Sequence, residues 1–173
     1  MEEAPAPGDK LGAMPNSLDA IRDHLVRALD WEEARVGFDK AVDGIPADKR
    51  GARPAGFEHS VWQIVEHIRL AQEDIFDFCV NASYVHTMKW PDDYWPTAAA
   101  PPNEKAWSDS LASYARVLDD VKRLARTVDD LTAPVPTGKP TQTYLRAILL
   151  IVDHTAYHVG QVVDVRRALG VWP

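Results

Sequence analysis

Apolar residues in this chain recur at intervals of three and four, and no stretch sustains the period-two alternation of a half-buried strand, so the pattern is helical throughout. Proline and glycine clusters divide it into four amphipathic segments. The first runs from about Ser17 to Asp43, with Asn16 and Ser17 as cap candidates. Its stripe of Leu18, Ile21, Leu25, Leu29, Val36 and Phe38 is irregular, and Gly44 and Pro46 mark its end. A loop rich in Gly, Pro and Arg (46–56) leads to Ser60 and Gln63, a Ser-x-x-Gln capping box that opens the second helix. That helix carries Val61, Ile64, Val65, Ile68, Ala71, Ile75, Phe78 and Cys79 on a stripe roughly 100° wide and ends near Asn81.

The connection from Ala82 to Pro102 holds Tyr84, Trp90, Tyr94 and Trp95 among four prolines. It exceeds the usual helix–helix loop, which points to a crossover along the bundle, and its aromatics predict that it packs down. Asn103 caps a third helix with Trp107, Leu111, Tyr114, Leu118, Val121, Ala125 and Val128 at alternating spacings of four and three. Thr141 or Thr143 caps a fourth that runs to Leu169, with Gly170 supplying the left-handed stop. The expected fold is all-α, a four-helix bundle with a long crossover connection between helices 2 and 3. Residues 1–15, acidic and proline-rich, read as a flexible tail and 16–173 as a single domain.

Composition narrows the chemistry. The single cysteine, Cys79, excludes an intrachain disulfide framework and any Cys-rich metal motif, so a metal would be held by His and carboxylate. No secretory signal is visible at the amino terminus, and the expected location is the cytoplasm. The longest apolar run, Ala147 to Val152, is about a third of the ~20 residues a membrane span needs. A formal net charge of −7, with the basic pairs Lys122-Arg123 and Arg166-Arg167 flanked by acids, argues against nucleic acid as a partner.

Six histidines remain to be placed. His154 and His158 stand four apart on the fourth helix and so share a face, able to converge on one ion or to be ordinary helical histidines. His67 lies on the border of the second helix's apolar stripe, where a side chain can reach inward as a third ligand. His24, His59 and His86 are structural or exposed by default, with His59 and His86 held in reserve because loop residues can swing over a site. Gln161 lies one turn after His158 and can hydrogen-bond a ligand or pack, while Gly160 suggests close approach of a neighbouring element. Asp153 points elsewhere on the helix. Tyr144 and Tyr157 read as bundle contacts, and Arg166 and Arg167 as surface charge. Glu66-His67 lacks the second histidine that a helical metalloprotease motif requires, and no Gly-rich loop follows a strand, so protease, phosphate-loop and dinucleotide readings fail.

His59 to Ile75 (HSVWQIVEHIRLAQEDI), the PDDYWP loop and LLIVDHTAYHVGQVVDVRRALGVWP together resemble the DinB-like superfamily of four-helix-bundle proteins. The last stretch is the most specific, keeping the order and spacing of Asp153-His154, Tyr157-His158, Gly160-Gln161 and Arg166-Arg167-x-Leu169-Gly170. The resemblance implies a divalent metal held by one histidine of the second helix and two of the fourth, here His67, His154 and His158. The ion expected is zinc or nickel, with iron as a third candidate. Three imidazoles leave coordination positions open for water or substrate. The resemblance also favours a thiol S-transferase using a low-molecular-weight thiol, with hydrolysis beside it and a non-catalytic metal- or ligand-binding bundle as the alternative. Gln161 and Tyr94 are the candidate catalytic residues, with Tyr94 and the aromatic loop expected to wall the pocket. A small-molecule substrate and a homodimer are the expected partners.

Overall fold

The computed structural model describes residues 17–30 and 34–173; the expected tail and the cap candidate Asn16 lie outside them. Five α-helices follow one another: α1 (Ser17–Asp30), α2 (Phe38–Val42), α3 (Val61–Val80), α4 (Glu104–Thr127) and α5 (Tyr144–Ala168), with 3-10 turns at Ala47–Lys49 and Asp92–Tyr94. The described residues contain no strand, and one isolated bridge pairs Pro134 with Thr143. None of the described helices is long and apolar enough to cross a membrane.

The first segment is two helices rather than the single one expected over 17–43. The phase of its apolar residues explains the break. At about 100° per residue a continuous helix would place Phe38, Ala41 and Val42 on nearly the opposite side from Leu25, Val26 and Leu29. All six are buried, but in different places: the α1 trio packs with Val117, Val121, Ala125, Ile148 and Ile151, the α2 trio with Trp62, Val65, Trp107 and Tyr114. The Arg35 guanidinium donates to the Ala28 carbonyl near the end of α1 (3.1 Å), and Gly37 opens α2 in an extended conformation.

α3 is the central element, packed against both α4 and α5, while α1 contacts α4 and α5. Its capping box forms as the sequence predicts: Gln63 N–H donates to Ser60 Oγ and Ser60 N–H to Gln63 Oε1, each at 3.2 Å. Both side chains also reach the long connection, Gln63 Nε2 donating to Pro96 O (2.8 Å) and Ser60 Oγ to Ala99 O. Further along, the Tyr84 and Tyr94 hydroxyls donate to the two oxygens of Asp74 at 2.8 and 2.6 Å. The connection therefore leaves the end of α3 and runs back along it to its start. Between α3 and α4 the polar contacts form a closed set: Arg69 forks onto Glu66 (both bonds 2.8 Å) and onto Glu73 (2.7 Å), which in turn accept from Ser110 and Ser113.

α5 opens on Thr143, whose hydroxyl accepts from Arg146 N–H, and stops before Gly170 at φ +69°. Arg166, expected as surface charge, is buried instead. It donates to the Ala41 carbonyl (2.7 Å) and to Val171 O (3.0 Å), joining the end of α2 to the end of the chain.

Two glycines predict opposite outcomes. A Cβ on Gly51 would lie 2.4 Å from the Ala100 Cβ and 2.9 Å from its Cα, so Gly51→Ala should destabilise by about 1–3 kcal/mol, the usual cost of overpacking. A Cβ on Gly160 meets nothing within 4 Å, which removes the close approach expected there. Gly160→Ala should therefore stabilise by up to about 1 kcal/mol, raising the melting temperature by roughly 2–4 °C in a chain of this size. Thermal melts of the two variants check both signs.

Candidate metal centre

The packing of α3 on α5 brings His67 against His154 and His158. The Nε2 atom of His67 lies 3.1 Å from Nε2 of His158 and 3.0 Å from Nε2 of His154. One ligand nitrogen from each of the three falls within 4.8 Å of the others. A tetrahedral ion with metal–nitrogen bonds of about 2.0–2.1 Å sets its nitrogens roughly 3.3–3.4 Å apart, within a few tenths of the two closest separations.

Hydrogen bonds on the far side of the rings decide what these nitrogens carry. His67 Nδ1 lies 3.1 Å from the Tyr94 carbonyl, which can only accept, so Nδ1 holds the proton and Nε2 presents a lone pair. His158 Nδ1 is likewise committed to Gln161 Oε1 at 2.7 Å, leaving its Nε2 lone pair inward. Two lone pairs 3.1 Å apart in a buried place repel, and an electron-pair acceptor between them relieves the repulsion. The donor set fits a divalent ion.

The electrostatics agree. Burial pushes His67 down to about 4, with His158 adding to the shift and the Tyr94 carbonyl opposing it. His154 is pushed down to about 4, by burial first and by His158 second. His158 also lies below its ordinary value, chiefly through burial, against the pull of Gln161. All three are neutral near pH 7, the form that ligates a metal.

The connection after α3 builds the roof. The Trp95 ring lies between His59 and His67, stacked at 3.8 Å on each with interplanar angles of 9° and 4°, and meets the His158 ring edge-on at 5.7 Å. Tyr94 is 2% exposed, and its hydroxyl is bonded to Asp74 while its carbonyl holds His67. Burial and the Asp74 carboxylate raise its pKa above the ordinary phenol range. Gln161, the other catalytic candidate, touches His158 through Nδ1. Both hold a histidine ring of the group from behind. Trp90, expected to pack down with them, is 59% exposed although its ring lies 6.0 Å from His67.

Of the other histidines, His59 serves as the outer layer of the Trp95 stack, His86 lies 2.9 Å from the Tyr84 hydroxyl, and His24 is exposed on α1. Asp153 is exposed, as expected. Sequence reasoning did not single out Asp74, whose carboxylate anchors two tyrosines of the roof, and nothing in its spacing marked it. A cleft of about 610 Å³ between α3 and α4 contains none of the three histidines. Its charged lining is occupied internally, Arg69 with Glu66 and Glu73, and Arg116 with Ser113.

Two predictions follow from this geometry. Removing the Gln161 amide frees the His158 ring, so Gln161→Ala should weaken metal affinity by about 10–100-fold in chelator competition while the fold is kept. The second concerns acid. In the unfolded chain these histidines protonate near pH 6.5, whereas folded His67 and His154 resist to about 4, so between those values the unfolded state binds more protons. Stability of the metal-free protein should therefore be fully present above pH 6.5 and fall as pH drops toward 4. The urea midpoint should follow that course, with a shallower decline in His154→Gln.

A search of curated proteins found no match to this sequence. The sequence model of the DinB superfamily matches residues 30–162, which include α2 to α4, the long connection, and α5 through His154, His158 and Gln161. The chain belongs to the DinB superfamily.

Proposed function

We propose that His67, His154 and His158 hold one divalent metal ion, zinc or nickel before iron, on a four-helix bundle whose long crossover roofs the site, and that the protein uses it for thiol S-transfer. The observation that carries the reading is the convergence of three imidazole nitrogens, two with their remaining N–H fixed by Tyr94 and Gln161, in a group joined by no further His, Cys, Asp or Glu among the described residues. Closed structural sites supply four protein ligands, whereas a site with three keeps a position for an exchangeable ligand. When bound there, a divalent ion supplies Lewis acidity, lowering the pKa of a thiol or water that ligates it.

The chain's own residues do the rest. His67 and His158 orient their lone pairs through the Tyr94 carbonyl and Gln161, Trp95 excludes water from the His67 face, and Asp74 fixes the turn from which Tyr94 and Trp95 project. Among the described residues no carboxylate joins the histidine group, so a thiol or a water ligating there would be activated by the ion itself rather than by a neighbouring base.

Metal analysis of the natively purified protein beside the His67→Ala/His154→Ala/His158→Ala variant tests the site. About one equivalent of metal is expected in the first and less than about a tenth in the second, with helical content retained. Equal metal in both would sink the site. Titration of the cobalt-loaded protein with 2-mercaptoethanol tests the open position: thiolate-to-cobalt charge-transfer absorption is expected, and a spectrum indifferent to thiol and to other small ligands would indicate a non-catalytic metal-binding bundle.

A further inference from the structure

Approach to the three nitrogens is restricted. His67 and His158 are 2% and 6% exposed, and only His154 is open to solvent to an appreciable degree. On α5, Leu150 lies one turn before His154 and Tyr157 one turn after it, on neighbouring positions of the helix surface. From the other side the Trp90 ring comes within 6.4 Å of His154. These three side chains are 39%, 66% and 59% exposed, large apolar groups left in water beside the most exposed of the three histidines.

Two of them are held in place. Trp90 stands edge-on to the buried Tyr94 ring at 5.1 Å, on a turn closed by Lys89 N–H to Asp93 Oδ2 (2.7 Å) and Asp93 N–H to Lys89 O (2.9 Å). Tyr157 stands edge-on to His158 at 4.9 Å. The adjoining charges do not favour an ion of either sign: the Lys89 ammonium is bonded to Asp92, and Asp153 on α5 is a single exposed carboxylate. Singly scattered apolar residues are ordinary on a protein surface, but three around the mouth of a polar centre form a place for an apolar group of a ligand.

We propose that Trp90, Leu150 and Tyr157 form a rim that grips an aryl or similarly flat apolar group of the molecule ligating at the three histidines. Resting on the thiol reading, this assigns the substrate class to thiols that carry such a group rather than to hydrophilic ones. The two rings offer faces for stacking, and Leu150 closes the side toward the start of α5.

The test uses the full chain loaded with cobalt and two thiols of similar acidity, benzyl mercaptan and 2-mercaptoethanol, with affinities read from charge-transfer absorption. Benzyl mercaptan is expected to bind at least about tenfold tighter, and Trp90→Ala and Tyr157→Ala should each cut that ratio below about threefold, the cobalt ligand-field bands reporting that the variants are loaded. A ratio near one in the parent protein overturns the rim and leaves the thiol reading standing. Benzohydroxamate and acetohydroxamate repeat the comparison without a thiol. A kept preference for the aryl ligand with no thiol absorption retires the thiol reading and supports the rim, and binding of none of the four probes overturns both. A dimer in sedimentation that dissociates in Tyr157→Ala would show that a second copy of the chain occupies the rim, and would also overturn the proposal.

Discussion

The clamp on the His67 ring is the contact on which the site depends. α3 and α5 fix where the backbones of the three histidines lie, but a helix does not fix the rotation of an imidazole about its last torsion. That rotation is set by the long connection, through the Tyr94 carbonyl on Nδ1 and the Trp95 ring stacked at 3.8 Å on its face. Without them Nε2 of His67 would have no reason to point at His154 and His158. The connection can do this because it is tied to α3 near both ends of the helix, at Asp74, Gln63 and Ser60. An ion bound by the three rings would stabilise this arrangement by mass action.

Most of the fold was legible because its signals are local. The Ser60–Gln63 box, the Asn103 and Thr143 caps and the Gly170 stop each depend on residues within one turn, and each stands where the sequence places it. The break between α1 and α2 was readable in principle, since the opposite phases of Leu25 and Phe38 are a sequence property, but an irregular stripe is also what a long surface helix with mixed contacts would show. Arg166 illustrates a different limit. Its partners are backbone carbonyls, one five residues on and the others about 125 positions away, and a carbonyl leaves no mark in a sequence that an arginine could be matched against.

The candidate site divides along the same line. The four-residue spacing of His154 and His158 says that they share a face, and the stripe of α3 says that His67 sits at its border; only the packing of α3 on α5 makes them neighbours. The PDDYWP segment drew attention by its aromatics, yet the contribution of Tyr94 is its main-chain oxygen, with its hydroxyl turned to Asp74. A residue's identity predicts what its side chain can do and is silent about which carbonyl the backbone presents. Trp95 was expected to pack, and does; that its two faces would meet two histidines follows from the path of the chain past His59, not from the residue.

Energetics then separate a structural role for the cluster from a functional one. A core needing only to hold α3 to α5 is better served by apolar side chains, which bury without desolvating nitrogen and without facing lone pairs. Elsewhere on the same interface the chain does that, with Ile64, Val65, Ile68, Val159 and Val162 all 2% exposed or less. At His67 and His158 it instead buries two imidazoles, directs their lone pairs at each other and spends Tyr94 and Gln161 to keep them so. A departure from the packing used on either side, at a point where local consistency is otherwise high, is where function is expected to override stability. A cation between the rings would remove the imbalance, and the partly exposed His154 would leave it a side open to a further ligand.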